Sequence, residues 1–405
     1  MTEIKNFEEL ISSTLKPGQK LVSYEQKNLL PPGENYGSVL LQLILKIQNG
    51  DGKEEIISCV AKTCPPRGII WEWFNTKVTF KTEINFYKVL LEEFKSFCRA
   101  IGVEDVLNCF GRCLGARLSL NAESDEIDED AVIVFENLKV QGFEMGDRFV
   151  GFNEASAKII LKDLAAMHAV PIAYRMSKPD EFRDKIQPHI AKYYDLQFSD
   201  TLLDGVKKVL RNDLSADSKY VPYLGKIDQA WENLKKYTPH PTRNTMYTTL
   251  VHNDFWLNNT MLKFQNGVAV ENKLVDFQLI NYSSLANDVI FFLYTSVELS
   301  VLENKFEDLL KFYYNSFIQV LTKLGCDVNA YTFKGMMDEF ALITKQVQFA
   351  HILMMMLPIY ILKEKASEMS EMDETAFIKE SSEKHENFET RLKFVVLDLI
   401  RRAWV

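Results

Sequence analysis

Along the first third of the chain, short apolar runs alternate with turn residues, and one longer stretch carries a helical period. LVSYEQKNLL and SVLLQLILKI are β-rich runs, and the intervening PPGENYG predicts a turn from its Pro and Gly content. EEIISCVAKTCPP predicts a third strand, stopped by Pro65 and Pro66. In TFKTEINFYKVLLEEFKSFC the spacing lengthens: Phe80, Ile84, Tyr87, Leu91 and Phe94 recur every three or four residues, which predicts a helix. NCFGRCLGARLSL and DAVIVFENL then predict a hairpin. Their acidic connection, NAESDEIDED, reads as a solvated loop.

From Asn153 the pattern turns helical. NEASAKIILKDLAAMHAV opens on an Asn cap and places Ile160, Leu164 and Met167 on its apolar face. Residues 181–240 are charged and amphipathic, without a chemical signature. Short strand-like pieces follow around 247–281. Helices then continue to Val405, among them NKFEDLLKFYYNSFIQVLTKLG and ENFETRLKFVVLDLIRRAW. No internal repeat is visible. The pattern predicts an α+β chain: a small β-rich lobe with one long helix over 1–137, then a larger, mainly helical lobe over 138–405. The seam falls near Glu136–Gly142.

At 405 residues the chain exceeds one average core, which agrees with two lobes. An apolar fraction of 47% and only 17 Gly and 12 Pro argue for a folded chain without long linkers. The net charge of -9 argues against nucleic acid or an anionic membrane as the main partner, while leaving room for a local basic pocket. The start of the chain has neither a basic leader nor an apolar signal core. The most apolar run, FAHILMMMLPIYIL, carries His351 and Pro358 and falls short of the roughly 20 residues that span a bilayer. It reads as a buried helix, and no stable membrane insertion is expected. Six cysteines without a CxxC pair or zinc-like His spacing read as buried thiols in a reducing compartment, so a cytoplasmic location is expected.

The chemistry concentrates in LVHNDFWLNNTMLKF and KLVDFQLINYSSLANDVIFFLY, where aspartates follow apolar runs. An unpaired carboxylate loses hydration in such a setting, so its presence asks for a reason. The spacing His252-x-Asp254-x4-Asn259, with Asp276 beyond another strand, matches a phosphotransferase loop. A hydroxyl attacking a γ-phosphate must be oriented and relieved of its proton, which suits Asp254. Mg²⁺ prefers oxygen ligands, which suits Asn259 and Asp276. His252 braces the loop by hydrogen bonding. Read alone, HND is as ordinary as any turn or cap; the joined pattern is what points to chemistry.

The upstream lobe supplies the remaining parts in order. Lys62 ends the third strand, where an ammonium reaches α and β phosphates, and Glu83 on the following helix is placed to pair with it. Between the first two strands, Gly33 permits close backbone approach, and Asn35 and Ser38 offer donors to phosphate. An ordinary hairpin turn explains that stretch equally well. The backbone around Glu136–Leu138 lies where an adenine edge is read, an assignment by position only. His168, on an apolar helix, reads as a satisfied core histidine.

The two quoted stretches, with VFENLKVQGF and PPGENYGS, resemble the ecdysteroid kinase-like proteins, relatives of choline kinases and aminoglycoside phosphotransferases. Asp-Phe-Gln in place of Asp-Phe-Gly and the Trp256-Leu257-Asn258-Asn259 run carry the resemblance most specifically. It extends from about residue 20 to 400. It implies a bilobal protein-kinase-like fold, ATP with Mg²⁺, and phosphorylation of a small-molecule hydroxyl. Asn253 stands where the family usually has Gly, and Asn tolerates left-handed backbone angles. Asp276 is followed at once by a stretch in which Asp288 begins or caps a helix. No protein-kinase activation segment is apparent, which favours a small substrate.

The expected acceptor is an ecdysteroid or other lipophilic alcohol, held in an apolar pocket of the helical lobe. Plant or microbial alcohols in a detoxification role fit the same motifs. A choline-type substrate would need an aromatic or acidic cage, for which Trp71, Trp73 and Trp256 are the candidates. A catalytically dead kinase-like binder is the remaining alternative, and the presence together of Lys62, Asp254, Asn259 and Asp276 argues against it.

Overall fold

The computed structural model describes residues 3–29, 37–190, 200–237, 245–362 and 384–405. Strands β1 (Lys20–Asn28), β2 (Val39–Gln48) and β3 (Glu54–Thr63) form an antiparallel meander. The expected hairpin, β4 (Cys113–Arg117) and β5 (Val132–Glu136), completes a sheet ordered β1-β2-β3-β5-β4. Along β2 the alternate residues Leu41, Leu43, Leu45 and Ile47 are buried, the period of a strand with one covered face. Ile4, Phe7 and Ile11 from the N-terminal segment join them in one cluster.

Helix α1 (Thr76–Asn85) runs through a π turn at Phe86–Leu90 into α2 (Leu91–Ala100). Phe80, Ile84, Tyr87, Leu91 and Phe94 are all buried, as their spacing requires. The acidic loop is anchored by one apolar side chain, Ile127, buried with Trp71 and Phe80.

Past β6 (Phe143–Glu144), α3 (Glu154–Ser177) starts on Asn153, whose side chain accepts from the Ser156 N–H at 2.9 Å. The helix is longer than NEASAKIILKDLAAMHAV, continuing through Pro171 to Ser177. An interior proline costs roughly 3 kcal/mol. Here burial of every residue from Leu164 to Tyr174 holds the helix through it. The charged region contains α4 (Asp200–Ser215) and α5 (Leu224–Tyr237).

Four short strands then position the site: β7 (Thr248–Val251), β8 (Thr260–Gln265), β9 (Val268–Leu274) and β10 (Asn281–Ser284). β7 pairs antiparallel with β10, setting Val251 opposite Asn281. β8 pairs with β9, setting Thr260 opposite Leu274. The chain leaving β7 for β8 and the chain leaving β9 for β10 are thereby forced side by side.

The helical core comprises α6 (Ala286–Ser296), α7 (Leu299–Lys323), α8 (Phe333–Ile343), α9 (Phe349–Tyr360) and α10 (Asn387–Arg401). Every residue of α6 is buried. The run Phe333–Tyr360, 28 residues long, is apolar enough to cross a membrane by length and composition. In the fold, most of α9 is core, with Ile352, Leu353, Met356 and Leu357 fully covered. Arg148 closes its C-terminal end, donating to the carbonyls of Pro358 at 2.9 Å and Ile361 at 2.5 Å.

His351 on α9 stacks on Phe291 with centroids 4.3 Å apart, and Nδ1 lies 3.3 Å from Gln348 Oε1. Burial pushes its imidazole down to about 4, against a smaller pull from Asp288. Because the unfolded histidine protonates near 6.5, the unfolded state binds more protons below that pH. Stability therefore falls as pH drops from 6.5 towards 4, by about 3 kcal/mol in all. His351→Gln removes that slope, which urea unfolding at pH 7 and pH 4.5 measures; equal acid sensitivity in both proteins counts against it.

Candidate active site

The two adjoining loops carry Asp254 and Asp276, and the upstream lobe meets them with Lys62 and Glu83. Lys62 Nζ lies 2.5 Å from Glu83 Oε2 and 2.8 Å from Asp276 Oδ1. Lys62 and Glu83 are almost wholly buried, whereas the Asp276 side chain keeps 23% exposure toward solvent. Burial works against the Lys62 ammonium, but the carboxylates of Asp276 and Glu83 outweigh it and hold its pKa above the ordinary value. Burial likewise raises the Glu83 carboxyl, and Lys62 opposes that rise. Lys62 thus remains a cation with two of its three protons committed. Glu83 also accepts the Phe277 N–H through Oε1 at 3.2 Å. Phe277 is fully buried and stacks on Phe86 with centroids 4.0 Å apart.

Asp254 stands three residues past β7, partly open to solvent. Asn259 Nδ2 donates to the Asp254 carbonyl at 2.7 Å and to its Oδ2 at 3.0 Å. Enclosure by protein, then the charge of Asp276, push the Asp254 carboxyl up to about 8, against hydrogen bonds from Asn259 and Trp256. Asn259 is tied to the other loop as well, because its carbonyl accepts from the Val275 N–H at 3.1 Å.

His252 is fully buried and braces the two loops, with Nε2 2.9 Å from the Val275 carbonyl. That contact places its proton on Nε2, and burial lowers its pKa, so the ring is neutral. Asn253 takes the left-handed conformation at φ 65, and Asp276 does so at φ 67. An Asn holds such angles at modest cost, so the turn forms without the glycine usual in the family.

Asp288 stands at a helix start, as expected, and has a second role that the local pattern did not suggest. It lies in the first turn of α6, but its carboxylate binds the opposite loop. Oδ2 accepts from the His252 N–H and Oδ1 from the Asn253 N–H, both at 2.7 Å. His168 completes the set, with Nε2 2.9 Å from Asp288 Oδ2 and Nδ1 2.7 Å from the Tyr313 hydroxyl. His168 is a satisfied core histidine as expected, and it also steadies the clamp on the Asp254 loop. The one signal in the sequence was a charged residue at the head of the otherwise apolar DVIFFL run.

Other expected positions fall as follows. Ser38 is buried just before β2, and Gly33 and Asn35 lie outside the described residues. Glu136 ends β5, its carboxylate accepting from the Arg112 N–H at 2.9 Å and Gln141 Nε2 at 2.8 Å. Leu138 packs with Phe143 and Met261. Trp71 belongs to the cluster around Phe80, whereas Trp256 packs on the main helical core, so they share no cage. Asn258 is half-buried, and nothing in the structure explains it.

The donor set fits a hard divalent cation. Asp276 offers carboxylate oxygen, and Asn259, with its amide nitrogen committed to Asp254, has a carbonyl oxygen left. Among the described residues no three His, Cys, Asp or Glu side chains converge as a metal cage. Two protein oxygens suit Mg²⁺, which keeps waters and takes phosphate oxygens for its remaining positions.

The arrangement of Lys62, Asp254, Asn259 and Asp276 suits phosphoryl transfer, and the family match makes the chain a small-molecule phosphotransferase. The sequence profile of the ecdysteroid kinase-like family matches residues 32–326, and the chain belongs to that family. No curated protein matches the chain. Among solved structures it is similar to a spectinomycin phosphotransferase in complex with ADP and spectinomycin. There the identity is 11%, coverage is 97% of this chain and 98% of that one, and the TM-score is 0.45. It is also similar to the GDP complex of aminoglycoside 2'-phosphotransferase-IIIa, at 12% identity, 97% and 99% coverage and a TM-score of 0.40. The family match carries the assignment.

Proposed function

We propose that the chain transfers the γ-phosphate of ATP, with Mg²⁺, to a hydroxyl of an ecdysteroid or another lipophilic alcohol. One observation carries the reading: the Lys62, Glu83 and Asp276 chain reaches from the β-rich lobe (1–137) to the helical lobe (138–405), beside the Asp254–Asn259 loop. Lys62 has one proton left to donate to the α and β phosphates, and Glu83 fixes its position. The adenine edge meets the backbone around Glu136–Leu138. Asp254 takes the acceptor hydroxyl's proton, while His252 and Asp288 hold its loop rigid. Asn259 and Asp276 hold the cation, which when bound neutralises charge on the transferring phosphoryl group. A choline-type acceptor is disfavoured because Trp71 and Trp256 pack in separate clusters.

A mass-spectrometric screen for an added phosphate tests the acceptor, run with ATP and Mg²⁺ over steroids, glycosides, phenols and choline. Phosphate appearing on a steroid or comparable alcohol, and lost on chelation, is the expected result. Transfer to choline alone overturns the acceptor class. No transfer to any compound, together with no thermal shift on adding ATP and Mg²⁺, overturns the kinase reading.

A further inference from the structure

The Asp-Phe-Gln tripeptide, which marks the family, has work for its first two residues and none yet for the third. Phe277 points into the core, and its neighbours both turn toward the β-rich lobe: Asp276 reaches Lys62, and Gln278 reaches Gly37. A Cβ at position 37 would lie 3.1 Å from both Nε2 and Oε1 of Gln278, so the amide head abuts the backbone there. Gly37 lies two residues before β2, where Val39 pairs with Thr63 and Leu40 with Lys62. The amide therefore lies between the end of the turn joining β1 to β2 and the Asp276 loop.

Gln278 is only 8% exposed. Among the described residues its amide has no hydrogen-bond partner. The small exposure the residue keeps falls on that amide, which is therefore open to a partner from solvent. Its two flanking features are a glycine that leaves room for it and, two residues away, the Asp276 carboxylate that pairs with Lys62. We propose that Gln278 is a nucleotide-positioning residue, whose amide N–H donates to the terminal phosphates of the bound nucleotide beneath Gly37. This rests on the kinase reading above and adds to it a neutral donor specific for the phosphate tail. A primary amide donates there without adding a second fixed cation beside Lys62, so the net charge of the path is unchanged. Gly37 is its steric counterpart, since any side chain there displaces the amide.

Calorimetric titration of the full chain with Mg²⁺ and the β,γ-imido analogue of ATP, and separately with adenosine, tests this. Gln278→Glu keeps the shape but replaces the donor with a carboxylate facing phosphate. It weakens the analogue by about tenfold or more while leaving adenosine within about twofold. Gly37→Ala also weakens the analogue, and in a Gln278→Gly background it has no further effect, because the clashing amide is gone. Unchanged affinity of Gln278→Glu for the analogue overturns the proposal. So does an equal loss for both nucleotides, which marks a structural defect, or a Gly37→Ala cost that persists in the Gln278→Gly background. If the unsubstituted chain binds neither the analogue nor adenosine, the kinase reading itself fails along with this one.

Discussion

Asp254→Asn lowers turnover by about 10²–10⁴-fold, the range over which a positioned general base contributes, with the fold intact. The asparagine keeps the shape, and its Oδ1 still accepts from Asn259 Nδ2, so the loop survives while the proton acceptor is lost. Asp254 in the free protein titrates at about 8, because enclosure and then Asp276 disfavour its charge. The base must be ionised to act, so kcat/KM of the unsubstituted enzyme rises with pH and levels off above about pH 8. Stability runs the other way. The folded-state pKa lies above the unfolded value near 3.9, so the native state binds more protons between the two and loses stability as pH rises through that window. Removing the ionisable group removes that penalty. Discounted for the partial exposure of the side chain, Asp254→Asn is more stable than the parent by about 1–3 kcal/mol at pH 9. ADP release and urea unfolding, measured on the same preparation, check both halves. Full turnover in the variant sinks the assignment of Asp254, and lost turnover with lowered stability shows damage to the fold instead.

The parts of this site that were legible in the sequence are those whose signal is local. Lys62 ends a strand and Glu83 lies on the helix that follows it, so their order along the chain suggested the pair. Asn253 could be read as a left-handed residue because that preference is a property of its own side chain. Asp288 could not, since the groups it binds are 36 residues away at His252 and 120 away at His168. A local reading gives a carboxylate near a helix start to its own helix, whereas here the fold gives it to another loop. The pairing of β7 with β10 is similarly non-local: two four-residue strands are too short for periodicity to register. Pro171 shows the converse, a residue that locally disfavours helix carried inside one by tertiary packing. Gln278 was legible as a family mark, but its contact with Gly37 joins positions 241 residues apart in sequence.

Lys62→Met abolishes transfer and also destabilises the fold by about 3–5 kcal/mol, the cost of stranding a buried charge. Glu83 is 1% exposed and Lys62 3% exposed, so neither charge can be rehydrated without opening the seam between the sheet and the helical lobe. Losing the ammonium leaves Glu83 and Asp276 facing each other with no cation between them. Glu83→Gln alone is also unfavourable, by about 1–3 kcal/mol, because the Lys62 ammonium and the Phe277 N–H bind different carboxylate oxygens and the amide keeps an acceptor at only one of those places. In the double variant the conflict disappears. The Gln oxygen serves the Phe277 N–H, and no second buried carboxylate is left facing Asp276. The pair is therefore strongly coupled: Lys62→Met/Glu83→Gln recovers most of the stability lost in Lys62→Met and none of the activity. A double-mutant cycle by urea unfolding, with ADP release measured in parallel, separates the two roles. Additive losses show that the 2.5 Å contact contributes nothing of its own to the fold. Recovered turnover in the double variant shows that the ammonium is not what holds the phosphates.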